Sequence, residues 1–494
     1  MIPMVSFRTR IALAVVLLAT TLRAQDAAQV LSTSVAFNTL KNSATLTVEQ
    51  RAEADGLGKM ARESAAAGRY GEALKNLAHG MAVVRGTQWT PTTALTAALT
   101  MKLDRVVLEP SSAVKITLGQ LFPLDQPIEG KLSGTVALLP LAGGVPLKVL
   151  RAVDAVAGDF TAPVTLDVAL PDIADGNYRI AVSLAEASGK PIAKNAAVRI
   201  EKGLAKRVAE DKAAMRALAS KENDALRAAM PSIEYRIGLV DLANAHEVNV
   251  ERVDFDAELK DAETMLAAGE EGRDPFAARR GDFRKAYRSN VDDTLQPYRI
   301  FVPASYDGSK PYPLVVALHG MGGDENSYFD SRVYGSGAFA KEAERRGYIA
   351  VCPKGRNPAS MYAGPAETDV LDVVAEVRRA YRIDPGRIYL TGHSMGGYGT
   401  WSVAMSHPEL FAAIAPVSGG GNPAGMAKIA KIPELVVHGD NDKTVSVEQS
   451  RKMVAAAKAL EVEIKYVEIA GGDHLSAALR TFTDVFDWFD AHKR

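Results

Sequence analysis

The most informative part of this sequence is the stretch Arg387-Ile-Tyr-Leu-Thr-Gly-His-Ser-Met-Gly-Gly-Tyr-Gly-Thr-Trp401. Its residues Ile388 to Leu390 predict a short buried strand, and Gly397 to Ser406 carry apolar side chains at helical spacing. Between them, Gly392-His-Ser-Met-Gly396 fits the pattern G-x-S-x-G. A strand, a tight turn and a helix in that order indicate a nucleophile elbow that lifts the hydroxyl of Ser394 above a sheet edge. A plain Gly-Ser turn opening an ordinary helix is disfavoured, because the partners that a nucleophile requires follow downstream.

Those partners are a base and an acid. A serine hydroxyl becomes a useful nucleophile only when a neighbouring base accepts its proton and a carboxylate orients that base. Around such an elbow the order along the chain is Ser, Asp, His, each in a loop at a strand end. Asp442 follows one predicted strand in the pattern H-G-x-x-D, and His474 follows the next strand in a glycine-rich loop. We predict Ser394 as nucleophile, His474 as base and Asp442 as orienting acid, with Asp440 as the alternative acid.

The other histidines fit the role of base less well. His393 flanks the nucleophile, but its side chain is expected to point away from the site. His319 precedes Ser394, which is the wrong order, and His438 is expected to be structural at a strand end. His474 is therefore the best candidate among the eight histidines.

A second glycine-rich segment supplies backbone donors. Acyl transfer requires hydrogen-bond donors for the oxyanion that develops in the transition state, and each is typically worth roughly 100- to 1000-fold in rate. Leu318-His-Gly-Met-Gly-Gly323 follows a predicted buried strand and lies close to the elbow in such a sheet. We predict that the backbone N–H groups of Met321 and Met395 form the oxyanion hole.

Composition bounds the remaining possibilities. The 494 residues carry a formal net charge of −1, which gives no overall electrostatic case for nucleic acid or an anionic membrane as partner. Cys352 is the only cysteine, so no disulfide can form within the chain. The sequence contains no H-E-x-x-H, P-loop or dinucleotide-binding fingerprint, so we predict neither a metal nor an organic cofactor.

The N-terminus has the pattern of an export signal. Arg8 and Arg10 precede the apolar run from Ile11 to Ala19, and Ala24 precedes a polar start of the mature chain. We expect residues 1–24 to be a signal peptide and the protein to be secreted or periplasmic, with no stable membrane span after cleavage. An uncleaved anchor is the alternative.

The rest of the chain changes character several times. Residues 25–100 predict a helical region, and the short alternating runs within 101–202 predict an immunoglobulin-like β-sandwich. Residues 203–290 predict a helical linker region, and 291–494 alternate strand and helix. The β-sandwich is expected to contact a polymer or a cell surface, or else to serve as a spacer that packs on the catalytic domain.

Four segments carry a resemblance to a known family. They are Pro297-Tyr-Arg-Ile-Phe-Val-Pro-Ala-Ser-Tyr306, Pro313-Leu-Val-Val-Ala-Leu-His-Gly320, the stretch from Asp384 to Trp401, and His438-Gly-Asp-Asn-Asp442. With them, residues 295–494 resemble an α/β-hydrolase of the secreted esterase type, which includes feruloyl and acetylxylan esterases, polyhydroxybutyrate-depolymerase-like enzymes and peptidase relatives of prolyl oligopeptidase. The resemblance implies a mostly parallel sheet with helices on both faces. Gly-Gly-Asp-His474 departs from the Gly-His pair more common in that family.

The resemblance and the residues together imply an exported serine esterase that forms an acyl-Ser394 intermediate on a small-molecule or polymer-linked ester. The segment 418–431 is too short for a large cap, which favours an open site. A serine peptidase of the prolyl-oligopeptidase type is the first alternative, because amides and esters share the mechanism. The second is a binding or scaffold protein with a retired hydrolase domain.

Overall fold

The computed structural model describes residues 27–186, 189–219, 224–357 and 359–494. The predicted signal peptide, residues 1–24, lies outside them. Within the described ranges, none of the helices combines the length and the apolar character that a membrane crossing requires.

Two compact units make up the chain. They are the described residues of Met1–Lys221 with Arg236–Ala267, and of Glu222–Tyr235 with Ala268–Arg494. Residues 203–290 are divided between both units, and the predicted helical linker region stays a prediction.

The first unit opens with helices. They are α1 (27–43), α2 (Val48–Ala66), α3 (Tyr70–Val84) and α4 (Pro91–Ala98). Thr47 caps α2, since its side chain accepts a hydrogen bond from the backbone of Gln50 while the Gln50 side chain accepts one in return. Helices α2 and α3 approach closely around Phe37, and a side chain at Gly80 would lie 2.7 Å from that ring. The alanine-rich sequence thus packs its helices through small residues.

Two sheets follow these helices. Their strands are β1 (Leu99–Leu103), β2 (Val107–Leu108), β3 (Ala113–Gln120), β4 (Lys131–Pro140), β5 (Lys148–Ala157), β6 (Val164–Ala169), β7 (Gly176–Ala185) and β8 (Ile192–Ile200). One sheet has the strand order β1-β3-β6 and the other β2-β8-β7-β4-β5. Buried and exposed residues alternate along β3 and β6, so each strand faces a core on one side only. The immunoglobulin-like topology and the contact with a polymer or cell surface stay predictions.

Helices follow these sheets along the chain. They are α5 (Leu204–Ala219), α6 (Asp224–Ile237), α7 (Leu239–Asn244) and α8 (Phe255–Glu270). Of these, α6 lies mainly in the second unit and the others lie mainly in the first. The elements after them are β9 (Gly281–Arg288), β10 (Leu295–Val302), β11 (Tyr312–Leu318), α9 (Ser327–Asp330), α10 (Ala338–Arg346), β12 (Ile349–Pro353), α11 (Pro365–Ala380), β13 (Ile383–His393), α12 (Met395–Ser406), β14 (Ala413–Val417), β15 (Glu434–Gly439), α13 (Glu448–Ala459), β16 (Ile464–Ile469), α14 (Ser476–Arg480) and α15 (Phe482–Ala491).

The second unit is built on an eight-stranded sheet of order β16-β15-β14-β13-β11-β12-β10-β9. Strands β11 to β16 pair in parallel, whereas β10 runs antiparallel to both β9 and β12. Every residue of β11, β14 and β15 is buried, because helices cover both faces. Helix α11, for example, buries Val370, Val373 and Val377 on one side. This arrangement confirms the predicted α/β-hydrolase fold.

The sheet begins earlier than the predicted start at residue 291, since β9 already pairs with β10 along its whole length. Charged residues in β9 obscured the strand pattern. Arg284 forms an ion pair with Glu325 at 3.1 Å, and Lys285 packs its ammonium group over the ring of Phe276 at 4.6 Å. Both cations are thereby compensated inside the unit, which the sequence pattern alone does not reveal.

Candidate active site

Ser394 occupies the turn between β13 and α12. Its backbone has φ 60° and ψ −118°, a conformation that costs a residue with a side chain on the order of 1–3 kcal/mol. The surrounding structure holds it there, because the Ser394 N–H donates to the carbonyl of Val417 at 2.9 Å and its carbonyl accepts from Tyr398 at 3.1 Å. The turn therefore joins the end of β13 to the neighbouring strand β14.

The two glycines of G-x-S-x-G leave room for this turn. A Cβ atom at Gly392 would lie 2.3 Å from the carbonyl oxygen of Gly396, and one at Gly396 would lie 1.8 Å from that of Leu318. Either contact is far inside van der Waals distance. The pattern recognised in the sequence thus reflects a close backbone approach between the elbow and the end of β11.

The three predicted catalytic side chains meet at the carboxyl edge of the sheet. The His474 Nε2 atom lies 2.9 Å from the Ser394 Oγ atom, and the His474 Nδ1 atom lies 2.6 Å from the Asp442 Oδ2 atom. Both pairs of atoms are hydrogen-bonded. They allow the imidazole to accept the serine proton on one nitrogen while the other donates to the carboxylate.

Asp442 is held as an ionised carboxylate. Its Oδ1 atom accepts hydrogen bonds from the backbone of Thr444 and Val445, both at 2.8 Å. Its Oδ2 atom also lies 3.2 Å from the Nε2 atom of the fully buried His438. Burial by itself would raise the pKa of this carboxyl, but the hydrogen bonds from His438 and His474 outweigh it and leave the pKa well below its usual range.

Asp440, the alternative acid, lies elsewhere. Its side chain is exposed, and its Oδ1 atom accepts a hydrogen bond from the backbone of Gly471 at 2.7 Å. It therefore fastens the loop that carries His474 without bonding to the imidazole. The structure brings Asp442, and not Asp440, to the histidine.

Met395 follows Ser394 directly and Met321 lies in the glycine-rich loop after β11, and their role as oxyanion donors stays a prediction. Met395 is the first residue of α12, where backbone N–H groups have no partner within the helix. Met321 follows Gly320, which lies close to the nucleophile. A Cβ atom at Gly320 would lie 3.4 Å from the Ser394 Cβ atom. A turn from Gly323 N–H to the Gly320 carbonyl, at 3.1 Å, shapes the loop. Its glycines let the backbone approach the nucleophile closely.

The His393 side chain contacts the base. Its ring lies beside that of His474, with ring centroids 4.7 Å apart, and its Nε2 atom is 2.7 Å from the backbone carbonyl of His474. Burial lowers the pKa of His393 to about 3. The sequence did not indicate this contact, because it joins residues 81 positions apart. Only the proximity of Ser394 and His474 could be predicted from the sequence.

His319 and His438 form hydrogen bonds with residues around the site. The two ring nitrogens of His319 lie 2.9 Å from the Gly320 carbonyl and 2.8 Å from the Lys354 carbonyl. The Nδ1 atom of His438 lies 2.8 Å from the Ser450 hydroxyl. In the part of the chain that the structure describes, no group of three or more His, Cys, Asp or Glu side chains could hold a metal ion.

Comparisons with known proteins find similarity to esterases. A family model described as PET hydrolase-like matches residues 366–485. A bifunctional acetylxylan esterase/xylanase from Neocallimastix patriciarum is 33% identical over 141 residues, which cover 28% of this chain and 20% of that protein. "Probable feruloyl esterase C" from Aspergillus terreus is 29% identical over 160 residues, which cover 32% of this chain and 58% of that protein.

Among solved structures, a ferulic acid esterase from Anaeromyces mucronatus in complex with ferulic acid has 17% identity. The match covers 43% of this chain and 90% of that one, at a TM-score of 0.37. The chain spans less than two thirds of the length of the curated relatives named above. By its strand order and its elbow, the second unit has the α/β-hydrolase fold, and part of its sequence is similar to that of acetylxylan and feruloyl esterases.

Proposed function

We propose that this protein is an exported serine hydrolase that cleaves carboxylic esters through an acyl intermediate on Ser394. The observation that carries the proposal is the unbroken pair of hydrogen bonds from Ser394 Oγ to His474 Nε2, 2.9 Å, and from His474 Nδ1 to Asp442 Oδ2, 2.6 Å. The nucleophile thus contacts a base, and the base contacts a carboxylate. Ser394 itself lies on a strained turn that presents its hydroxyl.

Acylation follows from these positions. The Ser394 Oγ atom attacks the ester carbonyl carbon while His474 Nε2 takes the hydroxyl proton. The negative charge moves to the carbonyl oxygen, where the N–H groups of Met321 and Met395 would stabilise it. The carbon–oxygen bond to the alcohol then breaks, the alcohol leaves with the proton from His474, and the acyl group stays on Ser394.

Deacylation reverses the roles with water in place of the alcohol. His474 takes a proton from water, the resulting hydroxide attacks the acyl carbon, and the bond to Ser394 Oγ breaks as that proton returns to the serine. The carboxylic acid is released. Asp442 stays ionised throughout and stabilises the imidazolium that forms in both halves.

Esters linked to a polysaccharide are the proposed substrates. Relatives named as acetylxylan and feruloyl esterases support this class. The form of the site also supports it: Ser394 is half-buried, and Leu475, next to the base, exposes 46% of its surface. Only a short 3₁₀ helix, Pro423–Ile429, is inserted between β14 and β15, so a bulky ester can approach.

The test measures ester cleavage by the purified protein. We expect release of nitrophenol from acetyl and butyryl esters, then release of acetate or ferulate from esterified xylan. Ser394→Ala removes the nucleophile, and Ser402→Ala, an exposed serine on the same helix, is the matched control. Cleavage of peptide amides without ester cleavage would favour the peptidase, and full activity of Ser394→Ala would contradict the mechanism.

Export is the second part of the proposal, supported by the basic and apolar pattern of residues 1–24. We expect expression of the full chain in a bacterial host to place the protein outside the cytoplasm with a new N-terminus after Ala24. N-terminal sequencing of the fractionated protein measures this. A cytoplasmic protein that retains Met1 would overturn it.

A further inference from the structure

Three hydrogen bonds in series run beneath the site. The Gly320 N–H lies 3.1 Å from the Tyr334 hydroxyl, and this hydroxyl lies 3.3 Å from His393 Nδ1. At the other side of the same ring, His393 Nε2 lies 2.7 Å from the His474 carbonyl. The series therefore starts in the loop that precedes Met321 and ends on the backbone of the base.

The chemistry of each group fixes the direction of every bond. A backbone N–H can only donate, so the Tyr334 oxygen accepts from Gly320 and is free to donate its own proton to His393 Nδ1. The His474 carbonyl can only accept, so His393 carries its proton on Nε2. Burial lowers the pKa of His393 and raises that of Tyr334, which keeps the ring neutral and the phenol protonated. All three bonds are thus satisfied at once.

Both side chains are locked by packing and are closed to substrate. Tyr334 is 5% exposed and His393 is 3% exposed. The Tyr334 ring stacks on Tyr328 with centroids 4.3 Å apart and meets the His393 ring edge-on at 5.8 Å. A buried polar network whose members are all satisfied adds rigidity to its surroundings.

We propose that Tyr334 and His393 are positioning residues that hold the oxyanion loop and the base at a fixed separation on either side of Ser394. This inference rests on the proposed function. His393 adjoins the nucleophile in sequence, and a Cβ atom at Gly320 would touch both the Tyr334 hydroxyl, at 3.3 Å, and Ser394. The network therefore spans the groups whose relative positions determine the transition state.

Tyr334→Phe tests the proposal by removing one hydroxyl. We expect kcat for a nitrophenyl ester to fall roughly 10- to 100-fold with KM unchanged, because small displacements of catalytic groups cost rates of that order. Tyr348→Phe is the matched control, since Tyr348 is equally buried and loses a 2.8 Å hydrogen bond to Asp490 in the same unit. Equal kcat values for the two variants at similar melting temperatures would overturn the proposal.

His393→Gln provides a second variant in case the first folds poorly. Its amide can still donate to the His474 carbonyl, but the link to Tyr334 is lost. The third variant combines Tyr334→Phe with His393→Gln. If both residues act in one network, its kcat should be only slightly lower than that of the less active single variant, whereas independent effects on kcat multiply. Multiplying losses would contradict a shared positioning role.

Labelling with an alkyl fluorophosphonate separates this inference from the proposed function. The Ser394 oxygen bonds to phosphorus, fluoride leaves and the serine proton passes to His474, so no particular ester is needed. A wild-type protein that labels but cleaves no ester contradicts the proposed function alone, and slower labelling of Tyr334→Phe would still support the network. A wild-type protein that neither labels nor cleaves overturns both.

Discussion

The sheets of the first unit and the central strands of the second bury their residues differently. Along β3 and β6 buried and exposed positions alternate, so polar side chains are spread over one face of the sheet. Strands β11, β14 and β15 are buried throughout. Only their ends can present polar groups to solvent, which concentrates the polar chemistry at one edge.

Two residues at this edge have a strained backbone. Ser394 and Ser418, directly after the neighbouring strands β13 and β14, have φ of 60° and 48°. Such conformations persist only where the surrounding structure determines them fully, and they cluster at functional sites. A sheet buried on both faces provides that constraint, because its strand ends are fixed by packing on every side. The comparison predicts that changes at the carboxyl edge of this sheet affect activity far more than changes elsewhere.

The largest effect is expected for Ser394→Ala. Loss of the nucleophile should lower kcat by roughly a millionfold, as in serine hydrolases of the same constellation, with the melting temperature almost unchanged. Ester hydrolysis under saturating substrate measures it. Retention of more than a few per cent of activity would show that another group performs the attack and would remove the functional contrast between the two regions.

Asp440 and Asp442 lie in one loop and allow a direct test of the acid assignment. Asp442→Asn should lower kcat by roughly 10⁴-fold, because the amide favours the wrong tautomer of His474. Asp440→Asn is the control and should stay within a few-fold of the wild type, since its carboxylate bonds to Gly471 and is exposed. Comparable losses of kcat in the two variants would contradict the assignment of Asp442 as the orienting acid.

Glycine substitution tests the close backbone approach. In Gly396→Ala the new Cβ atom would lie 1.8 Å from the Leu318 carbonyl oxygen, so we expect a loss of more than about 3 kcal/mol in the free energy of unfolding. Gly56→Ala is the contrast, because Gly56 lies in α2 with nothing within 4 Å. Denaturant titration of both variants measures the difference. A stable Gly396→Ala protein would contradict the predicted clash.

The amino end of β15 provides a pH test. Glu434 is fully buried and accepts a hydrogen bond from the Trp401 indole at 3.0 Å. Burial raises the pKa of its carboxyl from 4.5 to about 7 in the folded state. Because the folded protein binds this proton more tightly, stability is highest below the unfolded pKa and falls as the pH rises towards the folded value, by about 3 kcal/mol in all.

Glu434→Gln should remove this loss. The neutral amide can keep the bond to Trp401, so the variant should gain stability relative to the wild type between pH 5 and pH 8. Thermal unfolding at both values measures it, with exposed Glu409→Gln as control. A difference between wild type and Glu434→Gln that does not change with pH would show that Glu434 does not titrate in this range.

Much of the second unit could be predicted from the sequence. Gly392 and Gly396 mark a turn that only small residues permit, and the buried strands read as continuous apolar runs. The start of the sheet at β9 could not be predicted in this way. Its sequence contains charged residues that are unusual in a buried strand. In the folded chain Glu325 compensates Arg284, and the ring of Phe276 packs against Lys285.

The order of Ser394, Asp442 and His474 and the turn at the serine follow from the amino-acid sequence, because steric limits on a G-x-S-x-G turn act between neighbouring residues. Which aspartate reaches the base, and how Tyr334 and His393 connect the glycine loop to His474, depends on the folded chain. Those contacts connect strand ends and loops far apart in the chain. Their distances depend on how parallel strands bring their carboxyl ends together, and no local pattern records that.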